Sequence, residues 1–381
     1  MPKNAVVVGG GIGGLAAAIA LRRIGWTATV LERAPELGEL GAGMSQSPNA
    51  LRALAELGVA DQARAVGVPF HGVFNLRTPS GGHIARALPG TASPLLGFHR
   101  ADLHRVLMDA LPAGWVRAGA QVTAVRQGAD EATVSCGAEE WAADLVVAAD
   151  GVRSTVRHLL WPEAPGPRFW GNTVWRGVAR AEGVDAGMTL GRGRYFLTMP
   201  VGRGRVYWAL GAHADRSGVR YEDELAEVRR RVHRWHDPIE RLLDATPPEA
   251  VLHHDITDLD PLDGYVRGRV VLLGDAAHAM HPDMAQGAAQ SLEDAVVLAA
   301  ALAEAGDVPE ALARYDERRR PRTQAIVEQA RAKGLASTSG NAVGYQLRTL
   351  AVRMVPSSRW PTLAARALAP VWDWRPPRLP R

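Results

Sequence analysis

The sequence predicts an α/β fold: a parallel, Rossmann-like sheet is interrupted by a mostly antiparallel β-rich segment, resumes, and ends in a helical tail. Three stretches carry the prediction. Residues 5–8 (AVVV) are an apolar run that passes through GGGIGG into LAAAIALRRIG and then a second apolar run, ATVLER. That order is a strand–turn–helix–strand unit, because the apolar spacing switches from a buried-strand run to helical periodicity and back. From residue 168 to 210 the texture becomes aromatic and alternating (FWGNTVWRGVA, RYFLTMP, GRVYWALGA), with Gly/Arg turns between. RGRVVLLGD (267–275) then restores the buried-strand pattern and feeds a long helix.

The remaining elements follow in order. Residues 46–66 read as a helix with Pro48 near its start and Leu51, Leu54 and Leu57 on one face. Residues 101–111 are an amphipathic helix with Asp102 in its first turn. Residues 120–126 and 131–136 are strand-like, and DLVVAADG is a third buried strand ending in Asp-Gly. Residues 222–244 return to helix, and helices continue to residue 335. The tail after 336 is helical with Trp/Pro interruptions, and its Pro/Arg-rich terminus reads as disordered. These boundaries assign 1–70, 95–167 and 262–335 to one discontinuous domain, 71–94 and 168–261 to a β-rich inserted domain, and 336–381 to a tail.

With 381 residues, 47% hydrophobic, and a mean hydropathy of −0.10, the chain has ample core for two joined domains. The formal charge of +4 comes from scattered arginines, which suits an enzyme attracting anionic cofactors and argues against nucleic acid. Cys136 is the single cysteine, which excludes a disulfide framework and a thiolate cluster and suits a reducing cytoplasm. The chain enters its first strand without a signal-peptide pattern, and Ala295–Ala303 is too short to span a bilayer. A soluble, cytoplasmic protein without integral membrane association is expected.

Gly9, Gly11 and Gly14 match G-x-G-x-x-G between strand and helix. Gly9 permits the tight turn, Gly11 lets a pyrophosphate approach the backbone, and Gly14 lets the helix pack against the sheet. Glu32 ends the second strand, where a carboxylate accepts from both ribose hydroxyls and repels a 2′-phosphate. A dinucleotide site follows, with NAD and FAD both open.

DLVVAADGVRSTVR (144–157) and RVVLLGDAAHAMHP (269–282), together with GGGIGGLAAA, resemble the three fingerprints of the class A flavoprotein monooxygenases. That group includes the aromatic hydroxylases of the para-hydroxybenzoate type. LGAGMSQSPNALRALAELG (40–58) and FHRADLHRVL (98–107) resemble two further family segments. The resemblance implies the para-hydroxybenzoate hydroxylase fold and FAD as cofactor. Gly9, Gly11, Ile12, Gly13 and Gly14 would hold the pyrophosphate, and Glu32 the adenosine ribose, with Arg33 beside it. Val122 would pack the adenine, Arg100 would reach the ribityl and phosphate region, and Gly43 and Met44 would join the cofactor site. Asp150 and Gly151, with Arg153 and Ser154, would serve both FAD and the pyridine nucleotide. Gly274 would precede Asp275, the acceptor of a ribityl hydroxyl whose competing reading is a helix N-cap. Pro282, Ala285, Gln286, Gly287, Ala288 and Ala289 would form a turn against the isoalloxazine, its amides beside flavin N1 and the C2 carbonyl.

His278, His281 and Asp283 invite a metal reading, but Pro282 breaks the helix and no further ligand stands at a recognised spacing. No metal is expected. His278 is assigned to packing or hydrogen bonding in the turn and His281 to the substrate or flavin rim. Glu293 and Asp294 are expected in the first helical turns, favourable to the dipole, and ERRRPR (317–322) at a solvated helix end.

Alternation puts Tyr195, Leu197 and Met199 on one strand face, and Tyr207 and Ala209 opposite Val206, Trp208 and Leu210. Alternation does not say which face lines a cavity. The resemblance favours Tyr195, Leu197, Met199 and Tyr207 as substrate residues, with Trp175 and Arg176 as further candidates. One of Arg192, Arg194, Arg203 and Arg205 is a candidate anchor for a carboxylate or enolate. The implied activity is hydroxylation of an aromatic or heteroaromatic small molecule with O2 through a flavin C4a-hydroperoxide, with NADH or NADPH as transient co-substrate. Epoxidation or Baeyer–Villiger chemistry on a polycyclic or isoprenoid natural product is the alternative, and an FAD-dependent reductase the third. A monomer or homodimer fits.

Overall fold

The computed structural model describes residues 3–36, 42–70, 75–86 and 94–380. Parts of the expected segment 71–94 (71–74 and 87–93), and Leu40 and Gly41 of the second family segment, lie outside these residues. The chain opens with β1 (Asn4–Val8), α1 (Ile12–Arg23) and β2 (Thr27–Glu32), followed by β3 (Gly43–Gln46), α2 (Pro48–Glu56) and α3 (Ala60–Val66). Next come β4 (Val68–Pro69), β5 (Leu76–Arg77), β6 (His83–Ala85), β7 (Leu96–His99), α4 (Arg100–Asp109) and β8 (Val116–Ala118). A meander of β9 (Ala124–Gln127), β10 (Ala132–Cys136) and β11 (Glu139–Ala143) precedes β12 (Leu145–Ala148) and α5 (Thr155–Leu160). Then follow β13 (Arg168–Arg180), β14 (Gly187–Gly191), β15 (Arg194–Pro200), β16 (Arg205–His213), α6 (Glu224–Arg231), α7 (Ile239–Asp244) and β17 (Leu252–Asp258). The chain closes through β18 (Val266–Arg267), β19 (Val270–Leu272), α8 (Asp275–His278), α9 (Gly287–Glu304), α10 (Val308–Ser337), α11 (Ala342–Met354) and α12 (Trp360–Trp372).

Two large sheets organise these elements. The first has the order β18-β19-β12-β1-β2-β8, with β19, β12, β1, β2 and β8 mutually parallel. The apolar run of β1 is buried along its length because it lies between two neighbours and under helices. Helices α1 and α9 pack on each other over this core, to which β10 adds Ala132 and Val134. The second sheet, β17-β13-β16-β15-β14-β5-β6, is antiparallel apart from the β14–β5 pair. One of its faces carries Trp175, Phe196, Trp208 and Leu210, buried under α6 and α7 through Leu225, Val228, Leu242 and Leu243. The opposite face carries Val174, Met199, Tyr207 and Ala209, which pack with Phe70 and Leu95.

Several expectations need correction. The helix expected over 46–66 is two, broken where Gly58 takes φ +79° and Val59 N–H bonds to Leu54 O. A left-handed glycine is a helix stop. The helix over 222–244 is likewise split, with Pro238 capping the second piece. The short strand β8 lay unread before the first of the expected strands, and β17 lay unread inside the β-rich segment. The terminus is packed rather than disordered: Arg52 Nε donates to Trp374 O at 2.9 Å, and Leu379 is buried in the first core.

Candidate functional site

The glycine turn is dictated by backbone crowding. Gly9 takes φ +106°, and a Cβ there would stand 2.3 Å from Ala149 O at the end of β12. A Cβ on Gly14 would stand 1.9 Å from Gly9 O, so the turn itself, more than the sheet, requires glycine there. Gly13 packs on Leu273 and Ser291, and Ile12 is buried at the start of α1. A Cβ on Gly11, by contrast, would meet nothing within 4 Å. The open side of the turn is therefore beside the first amides of α1, which precede the Leu15 N–H to Gly11 O bond and lack intrahelical partners. His104 Nε2 donates to Gly10 O at 2.7 Å and ties the turn to α4, a role not read from the sequence.

Glu32 is fixed from both ends. Its Oε2 accepts from Gly10 N at 2.7 Å and its Oε1 from Ala34 N at 2.8 Å. Arg33 beside it is exposed. Val122 is buried in the first core between β8 and β9. Arg100 opens α4 on the exposed side, its N–H bonded to Ala42 O at 2.8 Å. Gly43 and Met44 lie in β3 opposite His99 and Phe98, and a Cβ on Gly43 would collide with the Tyr207 ring at 2.3 Å.

Asp150 accepts from Ser154 Oγ at 2.5 Å and from Val156 N at 3.1 Å, so it organises the start of α5. Burial pushes its pKa up, against the pull of these bonds. Gly151 beside it takes φ +83°, and Arg153 is exposed. Arg157, not singled out from the sequence, donates to Ala276 O at 2.7 Å and Val152 O at 2.6 Å, joining this segment to α8.

The GDAAHAMHPDMAQGAA stretch is a chain of tight turns. Gly274 takes φ +64° and its N–H bonds to Asp294 Oδ2 at 2.9 Å. Asp275 is exposed between buried neighbours and makes no capping bond to α8, so the N-cap reading is not what the fold uses. Its Oδ1 lies 3.6 Å from where a Cβ on Gly287 would stand, beside the start of α9. Pro282 begins a 3-10 turn, and Ala285 follows in the left-handed region at φ +51°. The Ala285 amide is bonded to Pro282 O at 2.8 Å, which corrects its expected role as an open donor. The first intrahelical bond of α9 is Gln290 N–H to Gln286 O, so the amides of Gly287, Ala288 and Ala289 remain open. Gln286 holds this end by its side chain, donating to Ser47 Oγ at 2.9 Å and accepting from Asn49 and Gln290.

Beneath that turn lies a buried ionic cluster. Glu293 and Asp294 are not dipole partners at a helix surface; both are 0% exposed. Arg319 donates to Asp294 Oδ1 and Glu293 Oε2, each at 2.6 Å, and Arg322 to Glu293 Oε2 at 2.8 Å. ERRRPR therefore sits within α10, with Arg319 and Arg322 turned toward α9 by their helical spacing, rather than at a solvated end. Burial works against ionisation of Asp294, but His278 and Arg319 outweigh it and hold its pKa to about 2. His278 Nε2 lies 2.7 Å from Asp294 Oδ2, the expected hydrogen-bonding role. His281 turns elsewhere, with Nε2 2.8 Å from Asn172 Nδ2 and Nδ1 2.9 Å from Asp283 Oδ2.

The inner face of the second sheet gathers the residues expected at the substrate. Tyr195, Leu197, Met199, Tyr207 and Arg176 share it, since Leu197 pairs with Ala209, Arg176 with Ala209, and Met199 with Tyr207. The Tyr195 hydroxyl donates to Asp283 Oδ2 at 3.3 Å, and its ring fills the space where a Cβ on Gly211 would stand, 2.4 Å away. Burial pushes both phenols up, and Arg176 bonds Tyr207 and opposes the shift. Burial also opposes ionisation of Asp283, but the His281 contact, Ser337 and Lys333 hold its carboxyl below the usual range. Trp175 is corrected: it faces the other side, stacked on His253 at 4.1 Å with Nε1 donating to Glu224 at 2.6 Å. Arg205 and Arg203 pair with Asp102, and Arg194 lies over Trp235, so these arginines are engaged elsewhere.

A parallel sheet with an open glycine turn, a strand-end carboxylate and a second sheet roofing the turn of α9 matches known proteins throughout. The FAD binding domain family matches residues 3–330. The chain belongs to the class A FAD-dependent aromatic monooxygenases. This monooxygenase is 39% identical to the aurachin C monooxygenase/isomerase of Stigmatella aurantiaca, covering 93% of this chain and 94% of the relative. It is 33% identical to the FAD-dependent urate hydroxylase of Klebsiella pneumoniae, covering 87% and 89%. Among solved structures it resembles the Klebsiella pneumoniae protein HpxO with FAD and uric acid, at a TM-score of 0.89, 28% identity, and coverage of 97% of each chain. A salicylate hydroxylase substrate complex superposes at a TM-score of 0.78, with 27% identity over 98% of this chain and 96% of that one.

Proposed function

We propose that this monooxygenase uses NADH or NADPH and O2 to hydroxylate a small, electron-rich aromatic or heteroaromatic molecule held against Arg176, Tyr195 and Tyr207. The observation that carries this reading is the shared inner face, where one arginine and two phenols stand among Leu197, Met199 and Val174. An apolar wall with few polar groups orients a flat ring and keeps out water. The urate and salicylate hydroxylases among its relatives are named for planar substrates bearing acidic groups, which suits a guanidinium anchor.

FAD, when bound, supplies the reduction by NAD(P)H and the activation of oxygen. The chain's own residues do the rest. Gly11 gives close access to the α1 amides for a pyrophosphate, and Glu32 accepts from ribose hydroxyls. Asp275 accepts from a ribityl hydroxyl. The Gly287, Ala288 and Ala289 amides place the positive end of a helix where anionic charge is favoured. Arg176 donates to an acidic group of the substrate, and Tyr195, held neutral by burial, donates to Asp283 rather than ionising.

The test is a panel of hydroxylated aromatic acids and N-heteroaromatics, scored for stimulated NAD(P)H oxidation by the holoenzyme and for product oxygen from 18O2. One labelled oxygen per product, carried as a new ring hydroxyl, supports hydroxylation; an epoxide or ring-expanded product refutes it. Substrate-dependent oxidation yielding only hydrogen peroxide, or reduction without oxygen uptake, refutes it.

A further inference from the structure

Helix α11 carries two apolar faces, of which only one packs against the rest of the protein, half-buried. Its inner face docks on the end of the second sheet: Tyr345 donates to Leu190 O at 2.9 Å, and Val352 packs with Ile84, Leu190 and Tyr195. The outer face presents Val343, Leu347, Leu350 and Met354, which are 64%, 62%, 56% and 75% exposed. Their spacing of four, three and four residues sets them in one stripe along the helix. Isolated exposed leucines need no explanation, but a continuous stripe on one helix does.

Charge identifies what covers it. From Ser339 to Trp372 the sequence holds Arg348, Arg353, Arg359 and Arg366 and no acidic residue. Arg353, Arg359 and Arg366 are exposed and have no ion-pair partner among the described residues. A second copy seated on the stripe across a two-fold axis would set this segment against itself, with no carboxylate between Ser339 and Trp372 to meet Arg353 of α11. An anionic lipid surface answers both features, taking the apolar side chains into its headgroup boundary and the arginines onto its phosphates. No helix among the described residues is long and apolar enough to cross a membrane, so the contact is peripheral.

We propose that the outer face of α11 docks this enzyme on the surface of an anionic lipid bilayer. The surface that meets lipid is the back of the helix that covers Tyr195 and Leu190, so docking sets the substrate side of the molecule toward the membrane.

The test uses the full-length holoenzyme in flotation with phosphatidylcholine vesicles made with and without phosphatidylglycerol. The expected result is flotation with the phosphatidylglycerol vesicles only, weakened by salt and lowered at least about tenfold by Leu347→Glu with Met354→Glu. Arg353→Glu with Arg359→Glu, which leaves the apolar stripe intact, lowers it similarly. Retained flavin content and an unchanged melting temperature show that these surface variants fold. Absence of flotation with either vesicle, flotation unaffected by both double variants, or a dimer in light scattering that Leu347→Glu dissociates would each overturn the proposal. These outcomes do not depend on the substrate, so hydroxylation by the soluble assay stands or falls separately.

Discussion

Replacing Arg319 with methionine removes the guanidinium that contacts both Glu293 and Asp294 while keeping an unbranched side chain in a site only 1% exposed. Glu293 keeps Arg322 and Asp294 keeps only the imidazole of His278, so two buried carboxylates are left with a single guanidinium. Breaking such a buried pair costs about 3–5 kcal/mol. For a chain of 381 residues, that is a fall of roughly 4–6 °C in melting temperature at neutral pH. The acid limb adds a second signature. The carboxyl of Asp294, drawn from 3.8 to about 2 in the fold, contributes stability that is present above pH ~4 and lost as pH falls through about 2. Two units correspond to about 2–3 kcal/mol. Because Arg319 supplies part of that depression, the gap between wild type and variant narrows at about pH 3. Thermal unfolding followed by tryptophan and flavin fluorescence at both pH values reads these effects, and Arg319→Lys recovers part of the loss. A melting temperature unchanged within about 1 °C at neutral pH, or an equal deficit at both pH values, refutes the reasoning.

Further outcomes follow from the same geometry. Gly11→Ala folds with a normal melting temperature yet binds FAD at least about tenfold more weakly by titration, because its Cβ meets no protein atom and points where a phosphate approaches. Gly14→Ala instead yields destabilised, colourless protein, its Cβ having no room beside Gly9 O. Arg176→Met raises KM for an acidic aromatic substrate about tenfold or more with a smaller change in kcat, while FAD content holds; an unchanged KM removes Arg176 from the substrate site. Leu379→Ala costs about 2 kcal/mol or more in chemical denaturation, since this terminal side chain is buried in the first core.

The cofactor half of the fold was legible because its signals are local. AVVVGGGIGG places strand, turn and helix within a few residues, and Gly9 and Gly14 occupy positions where only a backbone without Cβ fits. The inner face of the second sheet was half-legible: alternation grouped Tyr195, Leu197 and Met199, but only the α6–α7 pair covering Trp208 decides which side those helices leave uncovered. What stayed hidden is tertiary. Charged residues at helical spacing, such as Glu293, Asp294, Arg319 and Arg322, look the same whether they meet water or one another. The Ala285 amide looked like a donor because its partner, Pro282 O, depends on a left-handed turn that composition does not announce. Gly58 and Pro238 did mark helix breaks, and the apolar periodicity running across them obscured it.

In its proposed role as the ribose acceptor, Glu32 has a consequence for how the enzyme acquires its nucleotide. Each carboxylate oxygen already holds one backbone amide, from Gly10 and from Ala34, so the side chain is locked before any ligand arrives. Its rotamer freedom is surrendered during folding rather than on binding, and the remaining lone pairs keep one fixed orientation. A ribose diol meets a ready-made template and gains its hydrogen bonds without an ordering penalty. On that proposed assignment a 2′-phosphate would meet a negative group that cannot swing aside, and discrimination between dinucleotides would rest on the rigidity of the turn as much as on its charge.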